Sequence, residues 1–483
     1  MRNPVTTLST IMPKELLLVL SMAFTLGGCA PFPSLSQLSP LKTISDHQTV
    51  LSFSAPVNNW PCEQWWQTYG DPQLDRITEE ALRDSPDMAA AHARLLYADA
   101  VSQTTRAALF PQVSANASIS EQTQSYNYLM PRDATPKGWQ DYGLATLGVN
   151  WEIDFWGKNR AGLAAATSQL EASRAEIAQA RLSLAAAIAT NYAELARLFS
   201  THDTVARSVE VRGKTVALFN ERYINGLETR GSLSEATARL AEVEGELLLV
   251  DEQIGLQRQR LATLMGAGPD RGLAINRPAY NLKKQYGLPS ELAVNLLGRR
   301  PDVVAARLQA EAQLSRIDQK KAEFYPNVNL SAFIGVQSLG LNMLLKSASG
   351  IGGVGPAITL PIFTGGRLRC ELRGTVANYE EAVANYNRTV TWALQDVANT
   401  LLSQKALRGQ LAKAEQAVSA AGEAHRVARD RYDGGLATYI EVLFAEDILL
   451  NTQRNLTTLH AKAFLLDIAL TRALGGGYQA NKS

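Results

Sequence analysis

Four segments of the chain alternate between polar and apolar residues with a period of two. The alternation runs from Gln112 to Ser120 and returns from Ala145 to Phe155. It appears again from Asn327 to Gln337, with Phe333 as the exception on the polar face, and more weakly over the glycine-rich residues 351–362. Because successive side chains of a strand point to opposite faces, each segment predicts a β-strand with one polar and one apolar face.

A very long helical pattern follows each pair of predicted strands. Residues 163–212 contain neither glycine nor proline. Leucine or isoleucine recurs every seven residues from Leu163 to Leu184, and valine does so from Val376 to Val397. A strict seven-residue repeat predicts left-handed coiled-coil packing. A continuous helix from about Gly157 to Ile224 would extend roughly 100 Å at the α-helical rise.

Two nearly identical short segments end these long helices. Residues Glu221–Thr229 and Asp430–Thr438 lie 209 positions apart, and each contains an Arg-Tyr pair followed by Gly-Leu. Return helices are predicted from about Ser232 to Met265 and from Ile440 to Leu474, each ending at a glycine-rich stop. The chain is therefore predicted to be a tandem duplication in which each half folds a long helical hairpin.

These patterns divide the chain into six expected segments. In order they are a signal peptide (1–28), an N-terminal tether (29–70), the first repeat (71–268), an inter-repeat linker (269–288), the second repeat (289–477) and a C-terminal tail (478–483).

The N-terminus has the pattern of a bacterial lipoprotein signal. Its apolar core, Leu16 to Leu26, is too short to span a bilayer as a helix. The segment Leu26-Gly27-Gly28-Cys29 that ends it resembles a lipobox, and this resemblance implies cleavage before Cys29 and lipidation of that cysteine. Either Met1 or Met12 could be the start of translation.

Composition argues against several classes of function. The 47 basic and 46 acidic residues nearly cancel, so no basic field indicates nucleic acid as a partner. The five histidines have no ligand spacing, and no nucleophile–base pair or phosphate loop stands out. We therefore expect no metal, no cofactor and no enzymatic activity. A disulfide between Cys62 and Cys370 is left open by the sequence.

Strands of about ten residues with one apolar face suit a membrane β-barrel. Four strands cannot close a barrel, because bacterial barrels have at least about eight. Three copies of the chain would supply twelve strands around a polar lumen, and the coiled helices would continue the tube. The alternative is a half-buried soluble sheet beside a coiled-coil scaffold.

The chain resembles the TolC-like outer membrane factors, and within them the NodT-like lipoprotein branch. The resemblance covers essentially residues 16–477, and residues 474–479 are most similar to multidrug-efflux members of that branch. Besides both hairpin turns, the residues that carry it are Leu26-Gly27-Gly28-Cys29, Trp65-Trp66, Asp71-Pro72, Trp151-Glu152-Ile153-Asp154, Arg299-Arg300-Pro301-Asp302-Val303, Tyr325-Pro326, Leu360-Pro361-Ile362-Phe363 and Gly365-Gly366-Arg367.

This resemblance implies an α+β fold in a homotrimer. Its transmembrane β-barrel would have twelve strands, four from each chain, and would continue into a periplasmic α-helical coiled-coil barrel. The chain would then be the outer membrane exit duct of a tripartite efflux pump for drugs or other small toxic compounds. Its partners would be outer membrane lipid, a periplasmic adaptor and, through the adaptor, an inner-membrane transporter. The alternatives are a type I protein-secretion channel and a non-channel periplasmic scaffold lipoprotein.

The resemblance also implies that the hairpin turns form a closed periplasmic tip. Tyr432 matches the family's gate tyrosine, and Glu441 stands at one expected acidic position. The family's gate arginine is replaced by Ala437, and two expected aspartates are replaced by Phe444 and Ser232. The usual latch of ion pairs is therefore not expected in its familiar form.

The predicted gate residues and the predicted adaptor-docking residues accordingly lie in or next to the two hairpin turns. The gate candidates are Tyr432, Glu441, Arg431, Asp433 and Arg230. Each of the four charged residues among them could instead be a solvated charge near a turn. The candidate adaptor-docking points are Gly226, Leu227, Gly435 and Leu436, because both hairpins keep the Gly-Leu pair.

Overall fold

The structure is a computed structural model, and most of the chain can be described from it. The described residues are 37–43, 46–47, 49, 51–53, 56–125, 127, 131, 133–279, 288–289 and 292–480. The predicted signal peptide (1–28), the lipidation candidate Cys29 and residues 280–287 of the predicted linker lie outside them.

Helices dominate the described chain, with four long strands between them. A 3₁₀ turn at Trp65–Tyr69 comes before the first helix. The helices are α1 (Pro72–Asp84), α2 (Pro86–Ala107), α3 (Lys158–Ile224), α4 (Arg230–Leu264), α5 (Pro269–Leu273), α6 (Leu292–Arg299), α7 (Pro301–Ala322), α8 (Arg367–Asp433) and α9 (Tyr439–Ala473). The strands are β1 (Gln112–Gln122), β2 (Gln140–Ile153), β3 (Asn327–Leu339) and β4 (Gly350–Thr359). All four predicted strands and both predicted hairpins are present, with ends displaced by a few residues.

The two halves of the chain match element by element. Helices α2 and α7 both have 22 residues, α3 and α8 both have 67, and α4 and α9 both have 35. Both helices of the second hairpin begin 209 positions after their counterparts in the first. The predicted tandem duplication is confirmed.

The described chain divides into two compact units. Of the described residues, the first unit comprises 37–39, Val101–Ala166 and Glu311–Glu381, and contains the sheet. The second comprises those within 40–100, Thr167–Ala310 and 382–480, and contains both hairpin turns.

In the first unit the strands form one antiparallel sheet in the order β1-β2-β3-β4. The register places the predicted apolar residues on one continuous face, since Val113 pairs with Val149 and Leu147 pairs with Ile334. This face is uncovered in the single chain, with Ile334 67% exposed and Val354 78% exposed.

The other face of the sheet is polar, as predicted. Ser331 Oγ donates to Asn150 Oδ1 across 2.9 Å on this face. Phe333, the exception in the sequence, lies opposite Gly148 on one side and Gly353 on the other. A Cβ at Gly353 would stand 2.9 Å from the Phe333 ring, so this glycine makes room for the aromatic side chain.

Strand β4 contains Pro356, which pairs with Leu330 of β3. Proline within a strand is expected at a sheet edge or a bulge. The strand order places β4 at an edge, with β1 at the opposite edge. Within the described residues, each of these two strands is therefore paired on one side only.

An aromatic cluster in the second unit lies just before helix α1. Trp65, Trp66 and Tyr69 are each 1% exposed, and the Tyr69 ring packs edge-on against Phe464 at 4.5 Å between centroids. The Tyr69 hydroxyl donates to Asp467 Oδ2 over 2.7 Å. The two tryptophans and Tyr69 therefore anchor the segment before α1 in the hydrophobic core of this unit.

Asp71 fixes the first helix to this core. Its Oδ1 accepts the backbone N–H of Gln73 at 2.9 Å, which caps the N-terminus of α1. Its Oδ2 accepts the Tyr192 hydroxyl and the backbone N–H of Ala279. Asp71-Pro72 thus begins helix α1. The Asp71 carboxylate also links α1 to Tyr192 of α3 and to the backbone at Ala279.

Two further observations concern the membrane and the thiols. Among the described residues, no helix combines the length and apolarity that crossing a membrane requires. Cys62 and Cys370 are both exposed and free, so the disulfide that the sequence left open is not formed.

Candidate functional site at the hairpin turns

The first hairpin turn ends α3 with a Schellman motif. The N–H of Leu227 donates to the carbonyl of Arg222 over 2.8 Å, and that of Gly226 donates to the carbonyl of Tyr223 over 3.0 Å. Gly226 has φ +73°, a left-handed conformation that glycine adopts without a Cβ penalty. The predicted glycine is thus required by the geometry of the turn.

The second turn repeats this motif at the end of α8. The N–H of Leu436 donates to the carbonyl of Arg431 over 2.8 Å, and that of Gly435 donates to the carbonyl of Tyr432 over 2.9 Å. Gly435 has φ +76°. The Gly-Leu pairs of the two hairpins therefore have the same backbone geometry.

This geometry directs two leucines into solvent. Leu227 is 70% exposed and Leu436 is 75% exposed. The Schellman motifs fix the backbone on which each leucine stands, so the side chains are presented by rigid turns. Two exposed leucines at matching positions of the two turns are candidates for contact with another molecule.

Tyr432 joins the two hairpins within one chain. Arg222 of α3 donates from Nη1 to the Tyr432 hydroxyl over 2.7 Å. The same guanidinium lies 5.6 Å from the centre of the Tyr432 ring. Tyr432, one of the predicted gate residues, thus connects the two hairpins. Its partner Arg222 was not among the predicted gate residues.

Aromatic packing continues this bridge along the hairpins. The Tyr432 ring meets Tyr439 edge-on at 5.5 Å, and Tyr439 meets the buried Phe219 at 4.5 Å. Burial raises the pKa of both Tyr432 and Tyr439 above that of free tyrosine. Both hydroxyls therefore stay protonated at neutral pH and remain able to donate and accept hydrogen bonds.

Glu441 and Arg431 interact within the second hairpin. Glu441 Oε1 accepts the backbone N–H of Thr438 at 3.1 Å, which satisfies a free donor at the start of α9. Its Oε2 lies 3.5 Å from Arg431 Nη1. Within the part of the chain that the structure describes, this pair does not bridge the two hairpins.

The other predicted positions near the turns have different surroundings. Among the described residues, Asp433 and Arg230 form no ion pair. Ser232, which stands where the family has an aspartate, donates its N–H to the Thr229 hydroxyl over 3.1 Å and so belongs to the cap of α4.

A buried ion network that the sequence did not predict lies further along the hairpins. Arg212 of α3 has a side chain only 5% exposed. Its Nε lies 3.4 Å from Glu446 Oε1 and its Nη2 lies 2.7 Å from Asp447 Oδ1, both on α9. Its Nη1 donates to the carbonyl of Arg239 on α4 over 3.2 Å. One guanidinium therefore connects three of the four hairpin helices.

Arg239 extends the network outward. Its Nη1 lies 3.3 Å from Asp447 Oδ2, and its Nε lies 3.4 Å from Glu235 Oε1. The sequence indicates one member of this network, Glu446, but not its partner Arg212. Glu446 lies one helical turn after Val442 and Leu443 on the buried face of α9, where a carboxylate requires a partner.

The sheet unit has a group of aromatic residues at the ends of its strands. Trp156 follows β2, stacks on Tyr325 at 4.7 Å and donates from Nε1 to the carbonyl of Pro326 over 2.8 Å. Phe155 is 62% exposed, and Phe363, which follows β4, is 90% exposed. Exposed aromatic residues at strand ends are typical of the girdles that flank the apolar band of membrane barrels.

Comparison with known proteins agrees with this geometry. The profile of the family "Outer membrane efflux protein" matches residues 77–267 and 292–476. Its two matches fall one in each half of the duplicated chain. The multidrug resistance outer membrane protein MdtP of Escherichia coli K12 is 31% identical over 471 residues, which are 96% of each chain. The fusaric acid resistance protein FusA of Burkholderia cepacia is 34% identical over 368 residues, 74% of this chain and 68% of FusA.

Solved structures show the same fold. The outer membrane protein VceC of Vibrio cholerae superposes with a TM-score of 0.82 and is 47% identical, covering 87% of this chain and all of VceC. The Campylobacter jejuni channel CmeC superposes with a TM-score of 0.83 over 94% of this chain and 96% of its own, at 22% identity.

These matches confirm the predicted resemblance, the outer membrane location and the role in efflux. They decide between the alternatives that the sequence left open in favour of the efflux channel. With both repeats matched and relatives similar over nearly their whole length, the chain belongs to the outer membrane efflux protein family.

Proposed function

We propose that three copies of the chain form the exit duct of a tripartite efflux pump. The observation that carries this proposal is the open sheet, whose edge strands β1 and β4 are each paired on one side only within the described residues. Backbone groups inside a bilayer must be satisfied by hydrogen bonds, so β1 of one copy pairs with β4 of the next. Twelve strands then close a barrel, with the apolar face toward lipid and the polar face toward the lumen.

Attachment to the membrane has two parts in this proposal. The uncovered apolar face of the sheet and the aromatic residues at the strand ends contact outer membrane lipid. Cys29, which lies outside the described residues, carries a covalent lipid as its lipobox implies. Such a duct is passive and catalyses no reaction.

The cargo and the partners follow from the family and the turns. MdtP is named for multidrug resistance and FusA for fusaric acid resistance, which supports small toxic compounds as cargo. A periplasmic adaptor docks on Leu227 and Leu436, the exposed leucines of the two turns, and an inner-membrane transporter supplies the energy. Tyr432, together with Arg222, holds the two hairpins of each copy in the closed position.

The docking surface is tested by placing a charge on each leucine. Leu227→Asp and Leu436→Asp should each reduce copurification of the adaptor by at least about tenfold, because a buried carboxylate opposes docking into an apolar pocket. Drug resistance of a host that lacks the chromosomal gene should fall in parallel. The measurement is adaptor recovery after crosslinking, together with the inhibitory drug concentration.

Leu273→Asp provides the matched control, since Leu273 is 68% exposed but lies on α5, away from the turns in sequence. It should leave adaptor recovery unchanged. Normal adaptor recovery and drug resistance in both turn variants would contradict docking at the leucines. A gene deletion that stops protein secretion but leaves drug resistance intact would favour the type I secretion channel instead.

A further inference from the structure

One aromatic residue interrupts the polar face of the sheet. Phe333 lies in the middle of β3 and is 43% exposed on this face. The strands on both sides of it, β2 and β4, belong to the same chain. Its cross-strand partners are Gly148 of β2 and Gly353 of β4. Phe333 therefore places an aromatic ring on a polar surface without burying it in a core.

The ring covers one of these two glycines and leaves the other open. A Cβ at Gly353 would stand 2.9 Å from Cε1 and 3.3 Å from Cζ of Phe333, so the ring lies over this backbone. The nearest atoms to a Cβ at Gly148 would be Ser114 Oγ at 3.7 Å and two backbone oxygens. An open space thus lies above Gly148, between the Phe333 ring on β3 and Ser114 on β1. We call this space the Gly148 recess.

The recess is wide enough for one aromatic ring. Neighbouring strands lie about 4.8 Å apart, so β1 and β3 are separated by roughly 10 Å across β2. The floor is glycine backbone, one wall is aromatic and the other carries a hydroxyl that can donate or accept a hydrogen bond. Among the described strands, Glu152 is the only charged residue on the polar face, and Lys158 pairs with it. The recess is therefore uncharged, with one aromatic side and one hydrogen-bonding side.

We propose that the Gly148 recess binds aromatic compounds as they pass through the duct. This inference rests on the proposed function, which directs the polar face of the sheet toward the lumen, and deepens it by naming a contact for the cargo. Aromatic rings favour offset-stacked and edge-to-face contacts with one another, and the exposed part of the Phe333 ring offers such a contact. A polar substituent on the cargo hydrogen bonds to the Ser114 hydroxyl.

A contact inside a duct has to be weak. Binding must be favourable enough for a solute to enter and weak enough for it to leave. One aromatic pair satisfies both conditions, because it changes an affinity by only about two- to tenfold. The recess therefore favours aromatic over aliphatic cargo without retaining it.

Fluorine NMR of the purified full-length trimer in nanodiscs tests this contact. In one sample 4-fluorophenylalanine replaces Phe333, and in the control sample it replaces Phe444, which is 69% exposed in the other unit. The probes are neutral and water-soluble: N-acetyltryptophanamide is aromatic and N-acetylleucinamide is aliphatic. The aromatic probe should shift the signal of the label at Phe333 at least about threefold more than the aliphatic probe does, and at least about threefold more than it shifts the control label.

A substitution that fills the recess separates this contact from a general affinity of exposed rings. A Cβ fits at Gly148 without a clash, so Gly148→Leu keeps the strand and places a side chain in the recess. The shift of the label at Phe333 should fall at least about threefold, because the probe no longer reaches the ring. The matched control is Ser118→Leu, which adds the same side chain to the polar face of β1, four residues beyond Ser114. It should leave the shift unchanged.

The possible outcomes separate this inference from the proposed function. Equal shifts with both probes, or a shift that Gly148→Leu leaves intact, would overturn the recess as a cargo contact and leave the proposed duct standing. If Gly148→Leu does not assemble, the comparison of the two probes on the labelled protein decides alone. Trimer formation is scored on the same samples with an amine-reactive crosslinker. Absence of any trimer would overturn the proposed duct and this inference with it.

Discussion

Replacing Arg212 with methionine is expected to loosen the hairpins more than any other single substitution near the tip. The guanidinium is 5% exposed and is the partner of Glu446, whose side chain is 7% exposed. Removing one partner of a buried ion pair leaves an uncompensated charge, at a cost of about 3 kcal/mol or more. Amide hydrogen exchange in the facing segments of α3 and α9 should become on the order of 100-fold faster.

Arg426→Met is the matched control for this experiment. Arg426 also interacts with two carboxylates, those of Glu423 and Asp430, but its side chain is 63% exposed. Exposed ion pairs contribute at most about 1 kcal/mol, so exchange should change little. The double variant Arg212→Met/Glu446→Leu should recover much of the protection, because it removes both buried charges. Unchanged exchange in the Arg212 single variant would show that the network does not hold the hairpins together.

Breaking the bridge between Arg222 and Tyr432 is expected to have the largest effect on leakage. Tyr432→Phe keeps the ring but removes the hydroxyl that Arg222 contacts at 2.7 Å. A hydrogen bond to a charged group contributes about 1.5–3 kcal/mol, so its loss should shift the hairpins from closed toward open by roughly tenfold or more. Cells carrying the variant should become more sensitive to large antibiotics that normally do not cross the outer membrane.

Two further substitutions test the specificity of that effect. Arg222→Met should produce the same leakage as Tyr432→Phe, and the double variant should be no leakier than the stronger single variant, since both remove one contact. Tyr223→Phe is the control, because Tyr223 is 41% exposed and is the neighbour of Arg222 on α3. Equal antibiotic sensitivity in Tyr432→Phe, Arg222→Met and Tyr223→Phe would show that the contact between Arg222 and Tyr432 does not keep the channel closed.

The elements that could be predicted from the sequence are those whose signal is local. Alternation with a period of two placed all four strands, and the register joined their apolar residues into one face. Glycine at Gly226 and Gly435 is dictated by the backbone conformation of each turn. The duplication was visible because the two halves repeat the same spacing.

The ion network could not be predicted because its members are brought together only by folding. Arg212 and Glu446 are 234 positions apart, and neither lies in a recognisable motif. The same reason explains why Arg222 was missed as the partner of Tyr432, from which it is separated by 210 positions. Glu441 and Arg431 were correctly placed near the turn, but their contacts are made within the second hairpin. Their role in the gate stays a prediction.

Planar-bilayer recordings of the purified protein test most directly whether three copies form a channel closed at its tip. We expect crosslinked trimers to insert and to show a small conductance that is closed most of the time. Tyr432→Phe should increase both the size and the duration of the open events. A complete absence of conductance from correctly folded protein, in the wild type and in this variant alike, would contradict the proposal.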